Sequence, residues 1–411
     1  MQTHRPAAVR ALNRVAALLE KAGLLRLDLD EVALINAARR RTGLSDFGDE
    51  NFREPLRRLA HAIKHEARPN FIGKMAVRQD SLYLLMNRLQ IEHDRVKYPE
   101  IASQSIVKPI FIIGLPRTGT TLLHSLLGLD PGYRVPKTWE VMTPSPPTSD
   151  GEAKRIRVAE KNLAWLNRLA PDFKAIHLTG AELPQECIAI MSHTFMSDQF
   201  DIMFNVQSYR TWLEAQDMRP AYEYHRRFLQ HLQYRHPERR WVLKAPAHML
   251  SLGALFAIYP DAQIVQTHRE PMDVLASTAS LSTVLRSTFS DHVDPEVIGR
   301  EMSQFWGDTL DTFMRLRENH PPEQFFDLDY MELVKDPIGA IRRLYLHFGN
   351  ELSAETETRM REFLTLHPKD KHGQHHYTLA QFGLDAAKES PRFQRYRERF
   401  NLAAPRSLAH V

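Results

Sequence analysis

Apolar residues recur three and four positions apart through the first hundred residues. Leu12, Val15, Leu18 and Leu19 follow this spacing, as do Leu82, Leu85, Met86 and Leu89. That period marks amphipathic helices, and Gly43–Gly48 and Pro69–Gly73 punctuate them. Residues 1–105 are therefore expected to form a helical N-terminal region, a cap or an oligomerisation surface, with no catalytic motif. The pattern changes at Ile106. Pro109 is followed by the unbroken apolar run Ile110–Ile113, a glycine-containing turn, and a helical pattern carried by Leu122, Leu123, Leu126 and Leu127. An apolar run without alternation reads as a strand buried on both faces. Trp241–Leu243, Gln263–Thr267 and Phe325–Leu328 are expected to be further strands. Helices are expected from the end of the second strand through about Tyr259, from near Pro271, and over Ile338–Phe348. Residues 153–235 read as a helical insert, and Pro144–Pro147 as a rigid polar loop. Strands alternating with helices imply parallel pairing through right-handed crossovers.

Composition narrows the classes. The chain has 411 residues, 43% hydrophobic and 25% charged, enough apolar material for a sizeable core without disulfides or metals, and disorder is excluded. The most apolar stretch, Ile110–Leu115, ends at Pro116 and Arg117, far short of the ~20 residues a spanning helix needs. The lone Cys187 permits neither an internal disulfide nor a cysteine-based zinc cluster, and reads as a small buried apolar residue. Ala16–Leu19 is too short for the apolar core of a secretory signal before Glu20 and Lys21 interrupt it, so a cytoplasmic protein is expected. Basic residues number 54 against 50 acidic, a net charge of +4. The runs Arg39–Arg41 and Arg235–Arg240 are short and mixed, solvated faces rather than a nucleic-acid footprint.

The most informative stretch follows the first strand. Gly114 and Gly119 stand five apart and precede Thr120 and Thr121, the glycine frame of a P-loop, with Thr120 where the lysine would stand. The fold expected over 106–411 is accordingly α/β, a P-loop-like parallel sheet flanked by helices. The loop's amides and the following helix N-terminus can cradle an anion. Arg117 is the only cation in the loop. Without a lysine to reach the outer phosphates of a triphosphate, the expected ligand carries a 5′-phosphate and one further anionic group. A second anion site is suggested where Arg269 ends the strand Gln263–Thr267 and Ser277 lies eight residues on, two turns into a helix opened by Pro271. From the residues alone, a surface Arg–Asp pair and an exposed serine remain an equal reading.

Together the two motifs resemble those of the PAPS-dependent sulfotransferases (PAPS is 3′-phosphoadenosine-5′-phosphosulfate). Leu115-Pro-Arg-Thr-Gly-Thr-Thr121 resembles the family's 5′-phosphosulfate loop, and Arg269 with Ser277 its 3′-phosphate motif. Trp241-Val-Leu-Lys-Ala-Pro246 and Tyr259–Arg269 lie between them in the expected order. The resemblance is specific over about 106–280 and looser through Phe325–Phe348. With its loop arginine it is closer to the bacterial and tyrosylprotein branches than to the cytosolic branch. It implies in-line transfer of a sulfuryl group from PAPS to a hydroxyl or amine, with adenosine 3′,5′-bisphosphate as product and no metal. The cofactor-binding residues it implies are Arg117, Thr118, Gly119, Thr120, Thr121, Arg269 and Ser277.

The same resemblance assigns catalytic candidates. Arg117 and then Lys244, whose Lys244-Ala-Pro246 resembles a lysine motif of the tyrosylprotein branch, would stabilise charge on the leaving phosphate. The general base falls to Glu140, where several branches place a glutamate, or to His248, placed like the histidine base of the cytosolic branch. The 1–105 and 153–235 regions are expected on the acceptor side. There Met191, Phe195, Met196, Phe200, Met203, Phe204 and Trp212 are helix core or an apolar acceptor pocket. Glu182 and Glu186 face the acceptor or open a helix. His372, His375 and His376 are not expected to bind metal, and Lys369 and Lys371 are candidates to close over the phosphates. The acceptor is a small molecule, lipid, glycan or peptide. A P-loop kinase-like phosphotransferase and a catalytically silent nucleotide-binding protein are the competing functions.

Overall fold

Ile110-Phe-Ile-Ile-Gly114 is buried at every position, as a strand covered by helices on both faces must be. The computed structural model describes residues 7–169, 179–236, 239–367 and 377–402. Its chain divides into two units, each assembled from separated segments: Met1–Ser105, Pro136–Pro237 and Leu281–Val293 in the first, Ile106–Val135, Glu238–Ser280 and Asp294–Val411 in the second.

The second unit is α/β, a parallel sheet flanked by helices. Its strands are β1 (Ile110–Gly114), β2 (Tyr133–Arg134), β3 (Arg240–Lys244), β4 (Gln263–His268) and β5 (Phe325–Asp329), ordered β2-β3-β1-β4-β5. All pairs are parallel. Ile112 lies beside Lys244 and Val265, Gly114 beside Thr267, and His268 beside Asp329. On one face Ile110 and Ile112 join Val242, Val265 and Leu328 against Leu123, Leu126 and Leu127 of the helix Thr120–Leu127 and Ile341 and Leu344 of the helix Pro337–His347. Phe111, one residue out of phase, points to the opposite face, where it meets His248 and Tyr259.

Two elements differ from expectation here. β2 is only two residues long and pairs with Arg240 and Trp241 alone, too short to leave a pattern in the sequence. The stretch before Tyr259 is a 3-10 turn, Pro246–Leu250, and a separate helix, Leu252–Ile258. Pro246, which has no N–H to give, opens the turn.

The first unit is helical. Its N-terminal part contains α1 (Ala7–Lys21), α2 (Glu31–Thr42), α3 (Arg53–His65) and α4 (Phe71–Lys97). Asn70 caps α4 by accepting the Gly73 N–H at 2.9 Å, and α2 packs along α4 with Leu34, Ile35 and Ala38 buried. Leu82, Leu85 and Leu89 are buried as their spacing required. Arg88 is wholly buried. It donates to the carbonyls of Phe47 (3.0 Å) and Asp49 (2.9 Å) and to the Asp49 carboxylate (2.9 Å), its guanidinium lying over the Phe52 and Tyr224 rings. A charge so buried persists only with partners of this kind.

The stripe read on α1 does not face inward. Leu12, Val15, Leu18 and Leu19 are exposed, and the helix seats itself through Asn13 and Ala16. The reason is polar: Asn13 Oδ1 accepts the Ile72 N–H at 3.1 Å, and Glu20 receives Lys74 at 2.7 Å.

The insert is helical but broken. Glu152–Leu169 is followed by Cys187–Met191, Gln199–Met203, Gln207–Glu214 and Arg219–Gln233. Phe195 (φ +56°) turns the chain after a 3-10 turn over Ser192–Thr194. Met191, Phe195, Met196, Phe200 and Phe204 are core residues, Phe195 stacking on Phe200 and Phe200 meeting Tyr209 edge-on. Met203 and Trp212 are half-buried. No described helix is long and apolar enough to cross a membrane.

Candidate active site

β1 ends in a turn that demands left-handed backbone at three positions: Gly114 (φ +141°), Arg117 (+69°) and Gly119 (+85°). A Cβ on Gly114 would stand 2.4 Å from the Thr267 hydroxyl and 2.6 Å from its carbonyl oxygen, so β1 and β4 approach too closely for any side chain there. The Thr118 hydroxyl donates to the Leu115 carbonyl at 2.6 Å and lies 2.6 Å from the Thr267 hydroxyl. Thr118 is wholly buried, so its side chain, expected among the ligand groups, belongs to the frame of the loop. Gly119 precedes the helix Thr120–Leu127, whose first N–H groups have no partner within the helix and carry its positive dipole end. Thr120 is buried, whereas Thr121 and Arg117 are exposed.

Arg269, directly after β4, reaches this loop. Its Nη1 donates to the Arg117 carbonyl at 2.9 Å, and its guanidinium lies 4.4 Å from the centre of the Tyr330 ring. Tyr330 opens the helix Tyr330–Lys335, capped by the Asp329 carboxylate through the N–H groups of Met331 and Glu332. The same ring bounds the space beside Gly119, where a Cβ would come within 3.3 Å. Ser277 is half-buried on the helix Pro271–Phe289, roughly 9 Å along the axis from its start.

The strand end beneath Arg269 is fixed. His268 bonds Asp327 and Tyr396 through its two ring nitrogens, each at 2.7 Å, and Arg317 grips Asp327 at 2.6 and 2.7 Å. Burial opposes ionisation of Asp327, but the bonds from Arg317 and His268 outweigh it and hold the carboxyl well below its ordinary range. Burial pushes His268 down despite the Asp327 charge.

Lys244 ends β3 and is buried at 4% exposure. His248 is wholly buried in the turn Pro246–Leu250, its ring edge-on to Phe111 at 4.9 Å. Glu140 belongs to the first unit, on the helix Thr138–Met142. Its Oε2 accepts the Lys137 N–H at 2.9 Å, while the N–H groups of Thr138 and Trp139 donate to Leu183 and Ala181. That leaves Glu140 buried at 7% exposure on a short helix held by the segment Ala181–Leu183. Glu182 lies 3.8 Å from Lys137, and Glu186 stands just before the helix Cys187–Met191, whose Cys187 is buried. Lys369, Lys371, His372, His375 and His376 lie outside the described residues. Among the described residues no group of His, Cys, Asp and Glu is arranged to hold a metal.

The second unit thus gathers Arg117, Thr118, Gly119, Thr120, Thr121 and Arg269 around one loop, and also carries Lys244, His248 and Ser277. Sequence reasoning passed over Thr267 and Tyr330. Tyr330 had a signal: it is the first residue beyond a strand's carboxyl end, where α/β sheets bind ligands.

A loop of this shape between parallel strands, with Thr120 at the lysine position and Arg117 as its cation, defines a class. The sulfotransferase family profile matches residues 109–354, well over half the chain, and the protein belongs to that family. Its reaction class is sulfuryl transfer, which sets the kinase alternative aside. The chain is 33% identical to the sulfotransferase STF1 of Mycobacterium tuberculosis H37Rv, whose crystal structure superposes with a TM-score of 0.80 over 90% of this chain and 99% of that one. The sulfotransferase STF9 of Mycobacterium avium is 29% identical, with a TM-score of 0.82 over 92% and 98%. The omega-hydroxy-beta-dihydromenaquinone-9 sulfotransferase Stf3 of Mycobacterium bovis is 27% identical over 295 residues, 66% of this chain and 71% of that protein.

Proposed function

We propose that the protein transfers the sulfuryl group of PAPS to a hydroxyl of a lipid-like small molecule. The observation that carries the donor assignment is the contact of Arg269 with the Arg117 carbonyl, which sets two cations from motifs 152 residues apart on one loop. A donor with phosphate at both its 5′ and 3′ positions matches two cations so placed. The loop also suits a phosphate because the first N–H groups of the helix Thr120–Leu127 have no partner within the helix and carry its positive dipole end.

In this reading the loop amides with Thr120, Thr121 and Arg117 hold the 5′-phosphosulfate, and Arg269 with Ser277 holds the 3′-phosphate. The sulfur–oxygen bond to the 5′-phosphate breaks as a bond forms to the acceptor oxygen. Arg117 and Lys244 stabilise the charge growing on the leaving phosphate. The acceptor proton passes to Glu140, with His248 the second choice, since its ring is packed on Phe111. Acceptor recognition is assigned to the helical regions 1–105 and 153–235. The acceptor class follows the relative named for an omega-hydroxylated menaquinone derivative.

Thermal melts test the donor. Adenosine 3′,5′-bisphosphate at a hundred times its Kd should stabilise the fold by about 2.7 kcal/mol, and ATP with magnesium should not. The reverse pattern would overturn the reading. Labelled PAPS with an omega-hydroxylated prenyl quinone then tests the acceptor.

A further inference from the structure

Helix α1 turns polar residues toward the protein and its apolar stripe outward. Asn13 and Ala16 are buried, and Asn13 and Glu20 make the contacts to Ile72 and Lys74 that seat it. Leu12, Val15, Leu18 and Leu19 are 46%, 55%, 66% and 40% exposed, and Leu24, just past the helix, is 77% exposed. A contiguous stripe of large apolar side chains left in water marks an interaction site.

Charge identifies what covers it. Arg10, Arg14 and Lys21 are exposed along one flank of the helix beside the stripe, and Arg26 is exposed just past its end. The only acid between residues 7 and 26 is Glu20, which is turned onto Lys74. A second copy of the chain packed here across a two-fold axis would bring these cations against one another. A covering surface that accepts the leucines and also attracts the cations must be apolar and anionic at once. The fifteen residues of α1 span only about 22 Å, suited to lying in the plane of a bilayer interface. A helix with an apolar stripe and a basic border is the form that binds there.

We propose that α1 and Leu24 dock the protein on an anionic lipid surface, the stripe seated among the acyl chains and the basic residues at the headgroups. This is independent of the donor and acceptor assigned above, and its test uses neither.

The full chain is sedimented with vesicles of phosphatidylcholine alone and of phosphatidylcholine mixed with phosphatidylglycerol. Binding is expected to the mixed vesicles and to weaken as salt rises. Leu12→Glu with Leu19→Glu should lower the partition coefficient at least tenfold. Arg10→Gln and Arg14→Gln should each lower it about fivefold. Because these positions are exposed, the variants should melt with the parent. Should the double variant unfold, Leu18→Asp carries the same test. Failure of the parent to bind the mixed vesicles, or binding indifferent to these substitutions, would overturn the proposal. So would a concentration-dependent dimer, lost in the leucine variant, in a protein that ignores vesicles.

Discussion

Replacing Gly114 with alanine probes the loop at its tightest point. Two costs combine. The backbone there lies where only glycine is comfortable, and holding alanine in such a region costs about 1–3 kcal/mol. The added methyl would also meet the Thr267 hydroxyl at 2.4 Å and its carbonyl at 2.6 Å. The carbonyl is main chain of β4 and cannot swing away, so β1 and β4 must part. Parting them breaks the Thr118–Thr267 and Thr267–Ile113 hydrogen bonds, about 1 kcal/mol each. The expected loss is about 3–5 kcal/mol, read as a lower urea midpoint for the second unit. Affinity for adenosine 3′,5′-bisphosphate should fall with it, because the same residues shape the loop. Gly253→Ala is the matched control: it lies in the helix Leu252–Ile258 with nothing within 4 Å of the added carbon, and should stabilise by up to ~1 kcal/mol. A Gly114→Ala protein within ~1 kcal/mol of the parent, with unchanged nucleotide affinity, would refute the close fit of loop and strand.

Glu140→Gln should cut turnover roughly 10²–10⁴-fold and leave bisphosphate affinity unchanged; an unaffected rate would move the base to His248. Tyr330→Leu removes the ring beneath the Arg269 guanidinium, and should weaken bisphosphate binding roughly fivefold, as expected for a cation–π contact of ~1 kcal/mol. Isothermal titration decides both affinities, and a Tyr330→Leu protein that binds as the parent does would show the ring to be idle. Burial pushes the pKa of His225 down to about 3, so below pH 6.5 the unfolded chain takes up a proton that the folded chain refuses. Stability held by this group above pH 6.5 is therefore lost as pH falls, by about 2 kcal/mol between pH 6.5 and 5. The parent should lose that much more than His225→Phe across the interval in urea titrations. Parallel losses in the two proteins would mean that His225 is protonated when folded.

The first central strand was legible because burial on both faces leaves an unalternating apolar run, kept over Ile110–Ile113, whereas Gln263–Thr267 offered only Ile264 and Val265 between polar residues. The loop was legible through its glycines, whose spacing reports backbone shape directly. Contacts between distant residues were not. Thr118 reads as a ligand hydroxyl until Thr267, 149 positions later, is seen to take it. Tyr330 gains its meaning from Arg269 and Gly119, both distant in sequence. The stripe of α1 was visible as a stripe, but the side that packs was decided by Asn13 meeting a backbone N–H 59 residues away. Periodicity records amphipathic character without recording which partner wins the helix.

Both units are stitched from stretches that alternate along the chain. During synthesis the first lacks its closing piece until Val293 has left the ribosome, and the second waits for everything beyond Asp294. A long nascent segment must therefore hold half-finished helices and unpaired strands in solution, the condition in which chains need shelter from aggregation. Cutting the gene at Ser105 would keep the three segments of the second unit on one piece but strip the first unit of its N-terminal segment.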